Sequence, residues 1–348
     1  MSLSSSGISL HAVASKCSVS AMTVSRVLRN QSCVSPETRK RVLKAAKKMG
    51  YAPDPYMNRL MARVRSNRHR RAEAVIAVVR DNHQGDDLLD AAYHYAPLKD
   101  IDVHASRYGY RAEEFCLDRA KMSPTRLRQI LEARGIEGVI ISPQSSQSVG
   151  REMDYAGLAA VTLGYGLTEP SLHRASTNMT RGILQATREL AARGYRRIGL
   201  AVTEWIDARS DHTYTGAMLN YQRQIPPRDR VPLLLFPKNN IAKEEHIFRA
   251  WFRRYRPDVI LSFERYVPEW LCSGLGLRIP ETIGLVVHDW DLRCTGFAGI
   301  DHQRSHVVAA AVDMLAAQLL HNERGVPAVA RQVLIEPSWV AGSSIRPR

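Results

Sequence analysis

No stretch of the chain is apolar for the roughly 18 residues that a bilayer-spanning helix requires, so no membrane segment is expected. The polar start, Met1 to Gly7, has no apolar signal core, which predicts a cytoplasmic protein rather than an exported one. Cysteine is scarce. Cys17, Cys33, Cys116, Cys272 and Cys294 are odd in number and show no CxxC spacing, so free thiols are expected instead of disulfides or a metal centre. Walker-type glycine loops, HExxH and GxSxG are also missing. Acid–histidine combinations such as Asp207…Asp211-His212 and Asp301-His302 are what twelve histidines scattered over 348 residues produce by chance. No catalytic residue, cofactor or metal is therefore expected, and an enzyme is not.

The most informative scarcity is of negative charge at the N-terminus. Residues 1–72 contain 15 Lys/Arg and only two acids, Glu37 and Asp54, whereas the remainder holds 34 basic against 32 acidic residues. Nearly all of the net charge of +15 thus lies in the first fifth of the chain. A small basic module on a nearly neutral remainder is the electrostatic footprint of a DNA-binding regulator. The length suggests that module plus one or two larger α/β lobes.

Within the module, Ser9 caps a first helix whose Leu10, Val13, Ala14 and Cys17 recur at i, i+3, i+4, i+7. Ser18-Val19-Ser20 makes a turn, and Ser20 caps a second helix. Val24, Val27 and Leu28 form the inward face of that helix, while Ala21, Met22, Ser25 and Arg26 project outward. A recognition helix needs this split, because its rear packs while its front enters the major groove. Ser35-Pro36 opens a third helix, which buries Val42, Ala45, Ala46 and Met49 and stops at Gly50. Asp54-Pro55 starts a further short helix through Ala62, followed by a basic linker with Arg63, Arg65, Arg68, Arg70 and Arg71.

The run from Ser9 to Ala62 resembles the headpiece of the lactose-repressor (LacI/GalR) family of bacterial regulators. The resemblance rests on Val13-Ala14, Val19-Ser20, Thr23-Val24-Ser25-Arg26-Val27-Leu28, Val34-Ser35, Thr38-Arg39, Val42, Gly50-Tyr51 and Pro53. The family has Gly where Ser18 stands. By position, the resemblance implies base contacts from Ala21, Met22 and Arg26. It implies phosphate contacts from Ser9, Ser20, Thr23 and Ser25, and Arg29 and Lys16 are read as further phosphate contacts. It also implies a hinge helix in the minor groove, with Met57, Asn58 and Leu60, where Leu60 takes the place of an apolar wedge.

From Glu73 onward, short apolar strands alternate with helical patterns, the signature of parallel α/β layers. Expected strands are Ala74–Val79, Gly138–Ser142, Ala159–Leu163, Ile198–Val202, Val259–Ser262 and Gly284–Val287. Expected helices are Leu127 to Gly135, Ile183 to Gly194 and Val307 to Leu320. The joining segments 193–199 and 276–280, and the closing run 334–343, are also similar to the family. The resemblance implies a periplasmic-binding-protein-like body of two doubly wound parallel-sheet lobes. Domains are expected at 8–53 (headpiece), 54–72 (hinge and linker) and 73–348 (effector binding and dimerisation). The N-lobe would take 73–176 with 301–330, and the C-lobe 178–298 with 332–345.

For an effector, the resemblance implies an Asp after a late strand, here Asp289. The family's Arg three residues before a helix Gly is missing, since Thr213 stands at that distance from Gly216. Arg209 or His212 is the substitute. Phe263-Glu264 replaces the family's Asn-Asp pair. Tyr165, Trp205 and Trp290 are aromatic groups placed to stack on a sugar ring, and equally plausible as packing residues. The expected protein is a homodimeric, sequence-specific transcription regulator, a repressor, that binds pseudo-palindromic operator DNA and a carbohydrate-like effector. The alternative is an effector-independent, DNA-bending architectural protein. A solute-binding protein shares the body's fold but not the basic headpiece.

Overall fold

The computed structural model describes residues 10–28, 34–51, 74–81, 96–117, 122–143, 150–237, 241–263 and 266–347. The expectations for Ser9, Arg29, Cys33, the hinge residues Met57, Asn58 and Leu60, and Glu264 lie outside them, as does the side chain of Ser25.

The headpiece consists of α1 (Leu10–Lys16), α2 (Ala21–Leu28) and α3 (Pro36–Met49). Their inward faces meet in one core of Val13, Ala14, Cys17, Val24, Val27, Val42 and Ala46, with Ala45 and Met49 partly buried against it. Each fully buried valine contributes roughly 1.5–3 kcal/mol. The ends of α3 are chemically fixed. Ser35 Oγ accepts from Thr38 N at 3.3 Å, Pro36 occupies the first turn, and Gly50 closes the helix at φ 68°. Ser18 holds the turn before α2 at φ 50°, a left-handed conformation for a residue with a Cβ. Ala21 departs from expectation. It is partly buried against the headpiece core instead of projecting outward, because the first turn of α2 packs close to α1.

The body contains β1 (Ala74–Asp81), α4 (Leu98–Ser106), β2 (Tyr110–Leu117), α5 (Pro124–Ala133), β3 (Gly138–Ile141), β4 (Ala159–Leu163) and β5 (His173–Thr177). It continues with α6 (Met179–Ala192), β6 (Ile198–Thr203), α7 (Glu204–Arg209), α8 (Thr213–Gln222), β7 (Leu234–Phe236), α9 (Ile241–Tyr255) and β8 (Val259–Ser262). The last elements are α10 (Val267–Leu275), β9 (Gly284–Val287), β10 (Ala298–Asp301), α11 (Arg304–His321), β11 (Gln332–Ile335) and β12 (Ser338–Val340). Two six-stranded sheets result, ordered β11-β5-β4-β3-β1-β2 and β12-β10-β9-β8-β6-β7. Both contain the doubly wound order 2-1-3-4-5, counting from the first strand of each. Strands β3, β4, β6 and β8 are buried at every position, which is why they read as uninterrupted apolar runs.

The chain divides into two compact units. The first comprises Met1–Thr162, Leu167–Arg174 and Val308–Arg331; the second comprises Leu163–Gly166, Ala175–Val307 and Gln332–Arg348. This corrects one expected crossing, which falls at 307/308, inside α11, and not near Ala298–Asp301. The reason is that β10 pairs in parallel with β9, Ala298 opposite Val286, and so keeps the chain in the second unit. The return of Leu163–Gly166 to that unit was also not expected.

Candidate nucleic-acid interface and ligand site

In α2 the sequence separates two faces at helical spacing. Val24 and Val27 are buried at 0% and 2% exposure, whereas Met22 is 60% exposed and Arg26 is exposed. Ser20 Oγ accepts from Thr23 N at 3.1 Å and lies 2.9 Å from Thr23 Oγ1. The cap therefore positions both hydroxyls at the N-terminal end of α2, and one hydroxyl proton remains for an outside acceptor. Helix N-termini of this kind suit phosphate. The exposed outer surface of α3 adds Lys40, Arg41, Lys44, Lys47 and Lys48.

The candidate ligand residues all fall in the second unit, in four groups. Asp289, just after β9, receives Arg304 Nη2 at 2.5 Å on both carboxylate oxygens, and His302 Nδ1 lies 3.5 Å away. His302 Nε2 is 3.1 Å from Nδ1 of the fully buried His288. Burial lowers both imidazoles below their ordinary range, His288 the more strongly, with His302 adding to the effect there. Phe263 and Tyr214 pack around His288, at ring separations of 4.3 and 5.1 Å. Gly182 of α6 permits this packing, since a Cβ there would meet His288 Nε2 at 3.2 Å.

In the second group, Arg209 stacks over the Trp205 ring at 4.5 Å on α7. In the third, His212 Nδ1 meets the buried Asp207 carboxylate at 2.9 Å. Asp207 also receives Thr215 N and Oγ1, so it ties α7 to the start of α8. Tyr165 accepts from Gln332 Nε2 at 2.8 Å. Trp290 is a packing residue: its Nε1 donates to Phe297 O at 3.1 Å and its ring covers Gly299. Sequence reasoning missed Arg304, His288 and His302. In the sequence Asp301-His302 reads only as a chance pair, and nothing local to residue 304 signals a partner fifteen residues earlier.

Residues 9–54 match the family model described as bacterial regulatory proteins of the lacI family. The chain carries a lacI-family headpiece. Its similarity to whole proteins agrees. It is 29% identical over 194 residues to the HTH-type transcriptional regulator CelR of Thermobifida fusca, covering 54% of each chain. It is 27% identical over 189 residues to the sucrose operon repressor of Escherichia coli, again covering 54% of each. The chain thus spans about half the length of the curated relatives it matches. Among solved structures, the CelR–cellobiose complex aligns with TM-score 0.54 and the Lac repressor bound to ONPG with 0.55. Both are 18% identical, and both alignments cover 97% of this chain and 99% of the other. At that identity the likeness speaks for the fold alone: a helical headpiece followed by a body with two doubly wound parallel sheets.

Proposed function

We propose that this protein is a sequence-specific transcription regulator, a repressor, that binds pseudo-palindromic operator DNA as a homodimer and responds to a small carbohydrate-like molecule. The observation that carries the reading is α2, which offers exposed Met22 and Arg26 while its rear is locked into the headpiece core. In this reading Arg26 makes a bidentate contact with guanine and Met22 touches a thymine methyl. Ser9, Ser20, Thr23, Ser25 and Arg29 hold phosphates. The hinge at 54–72 enters the minor groove through Met57, Asn58 and Leu60, with Leu60 as wedge.

For the ligand, Asp289 and Arg304 act as a pair, offering an acceptor beside guanidinium donors to sugar hydroxyls. Tyr165, Trp205, Arg209 and His212 are the further aromatic and polar groups of this reading, and Trp290 steadies the segment bearing Asp289. Support comes from two similar proteins, one named as the sucrose operon repressor and one solved with cellobiose. Ligand preference for one state of the body would shift the population that binds DNA.

The test is selection of bound sequences from a random duplex pool by the full chain, with and without mono- and disaccharides. A two-fold symmetric site whose retention changes with one sugar is the expected result. Failure to enrich any site would end the regulator reading, and an enriched site indifferent to every sugar would end the carbohydrate part alone.

A further inference from the structure

Nine arginines and two aspartates fall within nineteen residues of the second unit, at 193–197, 223–230 and 253–258. Beyond residue 72 the rest of the chain holds 25 Lys/Arg against 30 Asp/Glu, so these segments are basic on an otherwise acidic body. The fold draws them together. The Arg197 guanidinium donates to the carbonyls of Arg228, Tyr255 and Arg256. The Asp258 carboxylate accepts from the backbone N–H of Arg196 at 2.8 Å and of Arg197 at 3.0 Å. Because β6 and β8 are parallel neighbours and α9 ends where β8 begins, all three segments gather at the entry end of one sheet.

Two members of the group have their charge answered locally: Arg193 pairs with Glu189, and Arg197 is saturated by carbonyls. Arg196, Arg223, Arg228, Arg230, Arg253, Arg254 and Arg256 are exposed; Arg230 and Arg256 each donate to one nearby carbonyl, and none of the seven forms an ion pair among the described residues. Exposed arginines of the first unit do find carboxylates, as Arg134 does on Glu113 and Arg151 on Glu169. Basic residues near a helix C-terminus favour the helix dipole, but that accounts for Arg223 after α8 and Arg253 and Arg254 of α9, and not for the other four. None of the exposed large hydrophobics lies in these segments. A protein partner usually requires aromatic or apolar anchors at its centre, whereas a phosphate backbone requires only charge and the planar fork of arginine.

We propose that this end of the second unit is a further, sequence-independent DNA-binding surface that grips the phosphates of a duplex, separate from the headpiece. A chain with both surfaces can hold two DNA segments at once.

The test compares the full chain with the triple variant Arg228→Gln, Arg253→Gln, Arg254→Gln. A control of equal charge change, Arg107→Gln, Arg126→Gln, Arg188→Gln, alters exposed arginines elsewhere. Affinity for a random-sequence duplex is measured across salt concentrations. The expected result is a slope of log K against log salt that falls by about 1 for each arginine meeting a phosphate, with the control unchanged. In parallel, a photo-crosslinking residue at position 228 of the otherwise native chain is expected to capture DNA, and one at position 152 is not. A wild-type slope in the triple variant, together with no crosslink from position 228, overturns the proposal. So does a triple variant that keeps its DNA binding but loses binding to polyglutamate or to phosphatidylserine vesicles, which would assign the surface to an acidic protein or a membrane.

Discussion

Asp289 sits at the end of a line of polar groups. With His302 Nδ1–H donated to Asp289, His302 Nε2 accepts from His288 Nδ1–H, and His288 Nε2 is left buried without a hydrogen-bond partner. Both rings are held neutral by burial. Below the ordinary histidine pKa of 6.5 the unfolded chain takes up protons that the folded chain refuses. Their contribution to stability is therefore complete above that pH and is lost as pH falls below it, by up to about 1.4 kcal/mol per pH unit for each histidine. Thermal unfolding of the full chain between pH 8 and pH 5 is expected to show a melting temperature that drops below pH 6.5, less steeply in His302→Gln. Equal pH dependence in the two proteins would remove the pair from this role. Asp289 was legible in the sequence through the resemblance, because it follows an apolar strand. Arg304 was not, because its role depends on β10 returning beside β9, a tertiary relation with no trace in spacing.

Among the elements, α2 and α3 were legible because their caps and apolar spacing are local. Serine at Ser35, proline at Pro36 and glycine at Gly50 each do one defined job at a helix end. Strands buried on both faces were equally plain. By contrast β2 was hidden, since among the described residues it lies at the sheet edge and pairs only with β1, and it carries Arg111, Glu113 and Glu114. The helix α8 was hidden by its threonines and Gly216, which weaken any apolar period. The turn between α1 and α2 yields a prediction of its own. Ser18 stands at φ 50°, where glycine meets no Cβ penalty, so Ser18→Gly should stabilise the headpiece by about 0.5–1 kcal/mol. Amide hydrogen exchange in the full chain reads this directly, with headpiece amides expected to exchange more slowly in the variant. Faster exchange would mean that the serine side chain supplies something the turn requires.

At the scale of the whole chain, the same strand order recurs in both sheets; α/β alternation pointed to parallel layers, and the resemblance implied two doubly wound lobes. The division between units was less legible, because one crossing lies inside α11, where composition does not change. Charge was the most legible property at this scale. The first 72 residues announce a polyanion-binding module, whose exposed basic side chains among the described residues are Lys16 of α1, Arg26 of α2, and Lys40, Arg41, Lys44, Lys47 and Lys48 of α3. The acidic remainder of the body makes the arginine-rich end of the second unit stand out only once the fold brings 193–197, 223–230 and 253–258 together.

The central claim is that α2 reads DNA sequence through Arg26. The most direct measurement takes the site selected by the wild-type chain and titrates Arg26→Ala against it and against every single-base variant. The expected result is a loss of about 1–3 kcal/mol on the selected site, with discrimination relaxed at one base pair per half-site and retained elsewhere. Unchanged affinity with unchanged discrimination at every position would contradict the claim.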